Sequence, residues 1–147
     1  MASKWTARIA AALAAPVVAI SFSGSAWASD HAARLNNPSV NCRGSIGGPH
    51  EVATLYFVDS TDTFRLWDAC ADGHGVRSQV QGADIINGSW VTMRPGTHYV
   101  AGDGVSTQFN IPGGVPLGSA FRMRVCTVDG AGDTTPVACS GWTSLAG

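Results

Sequence analysis

Lysine is almost absent from this chain of 147 residues, because Lys4 is its only example. Beyond residue 28 seven arginines face nine aspartates and Glu51, so the formal net charge of that part is −3. Nucleic acids and anionic membranes attract clusters of basic side chains. The sparse and slightly acidic charge therefore argues against nucleic acid and against a membrane surface as the main partner.

Long apolar runs are also missing. A membrane-spanning helix needs about 20 consecutive apolar residues, and the best run here is shorter and broken by a proline. That run follows the basic residues Lys4 and Arg8 and leads to the small residues Ala26 and Ala28. A basic start, an apolar middle and a small-x-small end are typical of a secretory signal peptide. We therefore predict that residues 1–28 are a signal peptide and that the mature protein is secreted, extracellular and free of the membrane.

Catalytic motifs are equally scarce. No Gly-x-Ser-x-Gly sequence is present, and an even number of cysteines leaves no spare thiol to act as a nucleophile. A Ser-His-Asp triad or a pair of glycosidase carboxylates stays open, because four histidines and nine aspartates follow residue 28. The spacing of these histidines and aspartates in the sequence does not identify a catalytic triad or a carboxylate pair. We therefore expect no catalytic residue and no cofactor.

Four cysteines lie beyond the predicted signal peptide: Cys42, Cys70, Cys126 and Cys139. An even number of cysteines in an exported chain predicts two disulfides, although four cysteines allow three pairings. The last two flank a loop rich in Asp and Gly, which is typical of a hairpin. If Cys126 pairs with Cys139 across that hairpin, Cys42 pairs with Cys70.

The register of this hairpin predicts which side chains face the interior. With Cys126 opposite Cys139, Met123 lies opposite Trp142, and strand alternation then gives two sets of side chains. The inward set is Phe121, Met123, Val125 and Trp142, and the outward set is Arg122, Arg124 and the disulfide.

Short apolar stretches between glycine-rich turns fill the rest of the mature chain, and no amphipathic helix is indicated. The clearest stretches are EVATLYFV, TFRLWDA, GVRSQVQG, SWVTM, THYVA and VSTQFNI. They predict an all-β protein whose residues 42–147 form a single small antiparallel β-sandwich, Ig-like or similar, of seven or eight short strands with two disulfides; a barrel is the alternative. Residues 29–41 show no period and are predicted to form a flexible N-terminal arm.

The stretch DACADGHG, from Asp68 to Gly75, gathers residue types that bind metals. Asp68, Asp72 and His74 are the candidate ligands. However, structural zinc sites use paired Cys or His spacings, and an EF-hand loop has acidic residues at alternate positions. Asp and Gly directly after a strand are what a turn requires. We therefore predict a turn without a metal.

Two pairs of residues are candidates for a binding surface. Arg65 and Trp67 are two positions apart in a predicted strand and so share a face. Arg122 and Arg124 share the outward face of the predicted hairpin. Exposed Arg and Trp are typical of contacts with a partner, and the alternatives are a solvated strand face for Arg122 and Arg124 and packing under a loop for Trp67. We expect that partner to be an extracellular protein or polysaccharide, and the protein itself to be a monomer.

The sequence PGTHYVAGDG, from Pro95 to Gly104, resembles the P-G-x₅-G-D-G run of small secreted actinobacterial β-sandwich proteins that inhibit animal α-amylases. The later FRMRVC lies where those chains also return in a strand that ends in cysteine. The resemblance implies an exported, non-catalytic sandwich with two disulfides. The family's inhibitory Trp-Arg-Tyr triplet is absent, the nearest sequence being FRLW, and one cysteine of its second bridge would fall at Trp90.

These features predict a small secreted, non-catalytic protein that binds an unknown extracellular target. One alternative is an inhibitor of a secreted hydrolase. The other is a small secreted hydrolase or metal-dependent enzyme that uses Asp and His residues of turns.

Thiol titration of the denatured but unreduced mature protein tests the disulfide prediction. We expect no free thiol, because all four cysteines are predicted to be oxidised. A sample reduced beforehand is the control, in which every cysteine becomes titratable. A free thiol in the unreduced sample would contradict the prediction.

Overall fold

The computed structural model describes residues 31–40, 42, 50–84, 86–93, 96–114 and 120–146. The predicted signal peptide lies outside these residues. The described part contains ten strands, one 3₁₀ turn at Asp59–Thr61 and no α-helix. The strands are β1 His31–Asn36, β2 Glu51–Val58, β3 Thr63–Asp68, β4 Gly75–Ala83, β5 Trp90–Thr92, β6 Tyr99–Val100, β7 Ser106–Asn110, β8 Ala120–Val128, β9 Ala138–Cys139 and β10 Thr143–Ala146.

The strands form two antiparallel sheets that pack face to face. Sheet A has the order β1-β2-β3-β7, and sheet B has the order β10-β8-β4-β5, with β6 also paired to β4 and β9 to β8. Disulfides join Cys42 to Cys70 and Cys126 to Cys139. The predicted antiparallel β-sandwich with two disulfides is therefore confirmed, with ten described strands rather than seven or eight. In the described part of the chain, no helix has the length and apolar character to cross a bilayer.

Aromatic rings from both sheets fill the centre of the sandwich. Phe57 and Phe64 of sheet A are 2% and 0% exposed, and both contact Phe121 of sheet B, with ring centroids 5.1 and 6.2 Å from its own. Phe109 stacks on Phe64 at 5.1 Å. Each buried ring stabilises the fold by about 2 kcal/mol through loss of apolar surface from water. These contacts hold the two sheets in their mutual position.

Within residues 29–41, for which a flexible arm is predicted, the structure has His31–Asn36 as the edge strand β1 of sheet A. Ala33 and Leu35 point into the core, while Arg34 between them is exposed. The alternation is therefore present in the sequence, but alanine has a low strand propensity and hides it. Pairing with β2 along the whole strand supplies the stability that propensity does not.

The register predicted for the C-terminal hairpin is right where β8 pairs with β9 and wrong by one residue where β8 pairs with β10. Cys126 does lie opposite Cys139, but Thr143 rather than Trp142 lies opposite Met123. Between β9 and β10, the Ser140 amide donates to the Val125 carbonyl at 2.9 Å, but the Val125 amide donates to the Ser140 hydroxyl at 3.1 Å, so a side-chain atom enters the ladder where the register changes. A shift of one residue exchanges the two faces of a strand. Trp142 consequently lies on the outer face of sheet B.

Met93 and Gly96 both bond to the same residue of β4. The Met93 amide donates to the Val80 carbonyl at 3.0 Å, and the Val80 amide donates to the Gly96 carbonyl at 3.0 Å. A Cβ atom at Gly96 would lie 2.4 Å from the Met93 carbonyl oxygen and 2.8 Å from that of Val80. Only glycine therefore fits this position.

Replacing Gly96 by alanine tests this close approach to the Met93 and Val80 carbonyl oxygens. We expect Gly96→Ala to lower the free energy of unfolding by about 2 kcal/mol, because the added methyl group meets backbone oxygens that cannot rotate away. Gly132→Ala is the matched control, since a Cβ there has no neighbour within 4 Å. Equal urea midpoints for the two variants would contradict the expectation.

Candidate functional site

The carboxylate of Asp68 is a structural anchor at the end of β3. It is 0% exposed, and its oxygens accept hydrogen bonds from the amides of Gly102 at 2.9 Å and Cys70 at 3.3 Å. The backbone of Asp68 also pairs with Val105 and Gly104, each at 2.9 Å. Asp68 therefore fastens the loop at residues 102–105 to the segment that carries Cys70.

Burial also changes the acidity of this group. Removal of Asp68 from water raises its pKa from 3.8 to about 6, and the negative charges of Asp72 and Asp103 add to that rise. The amide hydrogen bonds from Gly102 and Cys70 act in the opposite direction, but burial outweighs them. Asp68 thus changes charge at mildly acidic pH while it lies inside the fold.

The remaining polar residues of DACADGHG have separate partners. The carboxylate of Asp72 accepts the amide of His74 at 3.0 Å and so closes the predicted turn. The His74 ring lies 2.7 Å from the Asp129 carboxylate through its Nδ1. Within the described ranges, no three His, Cys, Asp or Glu side chains come close enough to share a metal ion. Asp68, Asp72 and His74 are therefore neighbours in sequence that do not converge.

A cleft of about 440 Å³ lies beside this turn, bordered by His74, Asp129, Asp103 and Tyr99. The Tyr99 ring lies so close to the Gly75 backbone that a Cβ there would be 2.4 Å from its Cε2 atom. A histidine oriented by a carboxylate is the base of many hydrolases. Yet the described lining of this cleft contains no serine or threonine that such a base would activate.

The first predicted pair, Arg65 and Trp67, lies on the outer face of sheet A. The guanidinium carbon of Arg65 lies 5.0 Å from the centre of the Trp67 ring, and its Nη2 donates to the Ser106 hydroxyl at 3.4 Å. On the same face, Arg34 donates to the Glu51 carboxylate at 2.6 Å. This face therefore holds both signs of charge.

The second predicted pair, Arg122 and Arg124, lies on the opposite side of the molecule. Arg122 is within 4.3 Å of the ring centres of both Trp90 and Trp142, and Arg124 is 4.4 Å from that of Trp142. Rings and guanidinium groups thus alternate in one row across sheet B. We name these four residues, Trp90, Arg122, Trp142 and Arg124, the Trp-Arg stack.

Two glutamines on the adjacent strand β4 bind the two arginines of the Trp-Arg stack. Gln81 Oε1 accepts two hydrogen bonds from Arg122, from Nε at 2.9 Å and from Nη2 at 2.7 Å. Gln79 Oε1 accepts one from Nε of Arg124 at 2.7 Å. These pairs follow the register of β4 and β8, in which Gln81 faces Arg122 and Gln79 faces Arg124. Both arginines are therefore held by neutral acceptors.

The four residues predicted as a binding surface are thus divided between two faces, and the sequence did not identify the partners of the second pair. Trp142 was placed inward by the register that is one residue off, and no face was predicted for Trp90. The alternation of Arg77, Gln79 and Gln81 in GVRSQVQG was a usable signal, because it predicts a polar outer face along β4.

Comparison with known proteins gives no further guide to the site. No protein-family model, no curated protein and no solved structure matches this chain.

Urea unfolding at several pH values tests the burial of Asp68. Because its pKa is higher in the folded state than the ordinary 3.8, Asp68 contributes stability below pH 3.8 and loses it as pH rises through about 6. From pH 4 to 7.5 we expect the wild type to lose about 2 kcal/mol of unfolding free energy relative to Asp68→Asn. A difference between the two proteins that stays constant with pH would contradict this assignment.

Proposed function

We propose that the mature protein is a secreted, non-catalytic binding module that engages an extracellular partner through the outer face of sheet B. Secretion is supported by two disulfides in a small domain, since disulfides persist in oxidising compartments. The signal peptide predicted over residues 1–28 points the same way. A rigid sheet face serves binding well because strands position side chains more firmly than loops do.

The Trp-Arg stack is the observation that carries this proposal. Its two guanidinium groups are ordered by rings and glutamines, yet none of the described carboxylates pairs with them; the ion pairs found are Arg34 with Glu51 and His74 with Asp129. Tryptophan and arginine contribute most often to the energy of protein interfaces. An arginine held in place before binding loses less side-chain entropy when a partner arrives.

Inhibition of a secreted hydrolase is a special case of this function, in which the partner is an enzyme. The resemblance of PGTHYVAGDG to the α-amylase inhibitors favours it, although the inhibitory triplet of that family is absent. A catalytic function has one supporting observation, the pair of His74 and Asp129 in the cleft. The described lining lacks a serine or threonine for this base to activate, so we rank catalysis below binding.

Immobilised mature protein, exposed to medium in which the source cells have grown, tests the binding function. We expect proteins or polysaccharides retained by the wild type to be reduced about tenfold on Arg124→Gln, because that change removes one stacked charge from the outer face of sheet B.

Arg65→Gln is the matched control for this experiment, since it makes the same change on the outer face of sheet A. The control should retain what the wild type retains. If Arg124→Gln retains everything, or if Arg65→Gln loses it instead, the outer face of sheet B is not the binding surface. Equal melting temperatures of the three proteins are required before the comparison is made.

A further inference from the structure

We propose, resting on the binding function above, that the Trp-Arg stack binds an extended acidic segment of another protein in which Asp or Glu occupies alternate positions. The charge of the outer face, the spacing of its arginines and the covered faces of its rings each support this class of partner.

The outer face of sheet B is basic although the mature chain is acidic. Outward positions on its two central strands hold no carboxylate; by strand alternation they are Gly75, Arg77, Gln79, Gln81 and Ala83 on β4, and Ala120, Arg122, Arg124, Cys126 and Val128 on β8. Among the described carboxylates, Asp133 lies near enough to interact with Arg77, but none forms an ion pair with Arg122 or Arg124. A local positive charge of this kind is complementary to a carboxylate-bearing partner.

Each arginine of the Trp-Arg stack keeps donors for a ligand. A guanidinium group has five N–H donors, and Arg122 uses its Nε and one Nη2 hydrogen on Gln81. Arg124 uses only its Nε, on Gln79. No other acceptor for either is found among the described residues, so both keep the Nη1 and Nη2 edge. That edge binds a carboxylate through two parallel hydrogen bonds.

The spacing of the two arginines favours a peptide. Arg122 and Arg124 are two residues apart on β8, so their Cα atoms are about 6.7 Å apart along the strand. An extended peptide repeats its side chains on one face at this same interval. Carboxylates at positions i and i+2 of an extended partner can therefore meet the two arginines at once.

The rings of the Trp-Arg stack are poorly placed to hold neutral sugars. A sugar ring stacks on an open aromatic face, but two guanidinium groups already lie over the Trp142 ring at 4.3 and 4.4 Å, and Arg122 also lies over Trp90 at 4.3 Å. The rings instead cover the faces of the guanidinium groups, so the positive charge is accessible at the N–H groups along their edges.

Three probes separate this partner from other anions, and their binding is measured by titration calorimetry at low ionic strength. The first is a short peptide that repeats Glu-Thr, and the second is a peptide of the same length and composition that repeats Glu-Glu-Thr-Thr and has no glutamates two positions apart. The third is a sulfated polysaccharide. We expect the Glu-Thr peptide to bind about tenfold more tightly than its isomer, because only it meets both arginines together.

Variants place the binding on the outer face of sheet B. Arg124→Gln should reduce the affinity for the Glu-Thr peptide about tenfold, and Arg124→Lys should reduce it less, because lysine keeps the charge but not the fork of donors. Arg65→Gln, on the other sheet, should bind as the wild type does. Arg124→Lys also keeps the test informative if Arg124→Gln folds poorly.

Equal affinity for the two peptides, tighter binding of the polysaccharide, or no peptide binding overturns the acidic-segment inference. The capture experiment decides the broader binding function independently, since it does not depend on the probes. Loss of peptide binding in Arg65→Gln but not in Arg124→Gln would place the peptide on sheet A and so overturn the acidic-segment inference as well.

Discussion

The contact of Phe121 with Phe57 and Phe64 is the interaction on which the rest of the sandwich depends. It is made by the central strands β2, β3 and β8, and the edge strands add side chains such as Leu35, Phe109 and Leu145 around it. Loss of such a ring from a packed core costs about 4 kcal/mol, which is a large part of the stability of a domain of this size. The relative position of the two sheets is thus fixed near one point.

This core contact also determines what lies outside. Because Phe121, Met123 and Val125 point inward, the two-residue period of β8 forces Arg122 and Arg124 outward. Neither can be buried without a partner, and both find one in the rings and glutamines of adjacent strands. The Trp-Arg stack is therefore a consequence of the same register that packs the core.

Sequence information was sufficient where structure is set by neighbours in the chain. The β2–β3 hairpin, the strand β4 and both disulfides follow from alternation, turn residues and an even cysteine count. It was insufficient for elements whose position or register depends on contacts between residues far apart in the sequence. Strand β1 is stabilised by its pairing with β2, and the register of β10 differs by one residue from that of β9, with the Ser140 hydroxyl bound to the Val125 amide between them. No local pattern specifies either contact.

In the candidate site too, the sequence indicated the types of side chain but not the contacts that they make. Side-chain types in DACADGHG indicated ligands, but whether Asp68 can bind a metal depends on the Gly102 amide, 34 positions away, which already occupies its carboxylate. Glu51 is likewise occupied by Arg34. On sheet A, Arg34 is neutralised by Glu51 and Arg65 meets a neutral acceptor, the Ser106 hydroxyl, whereas on sheet B two adjacent arginines, Arg122 and Arg124, both meet only neutral acceptors. A charge that the fold orders but does not neutralise is best satisfied by a partner of opposite sign, and this asymmetry between the two sheets is the physical basis for placing recognition on sheet B.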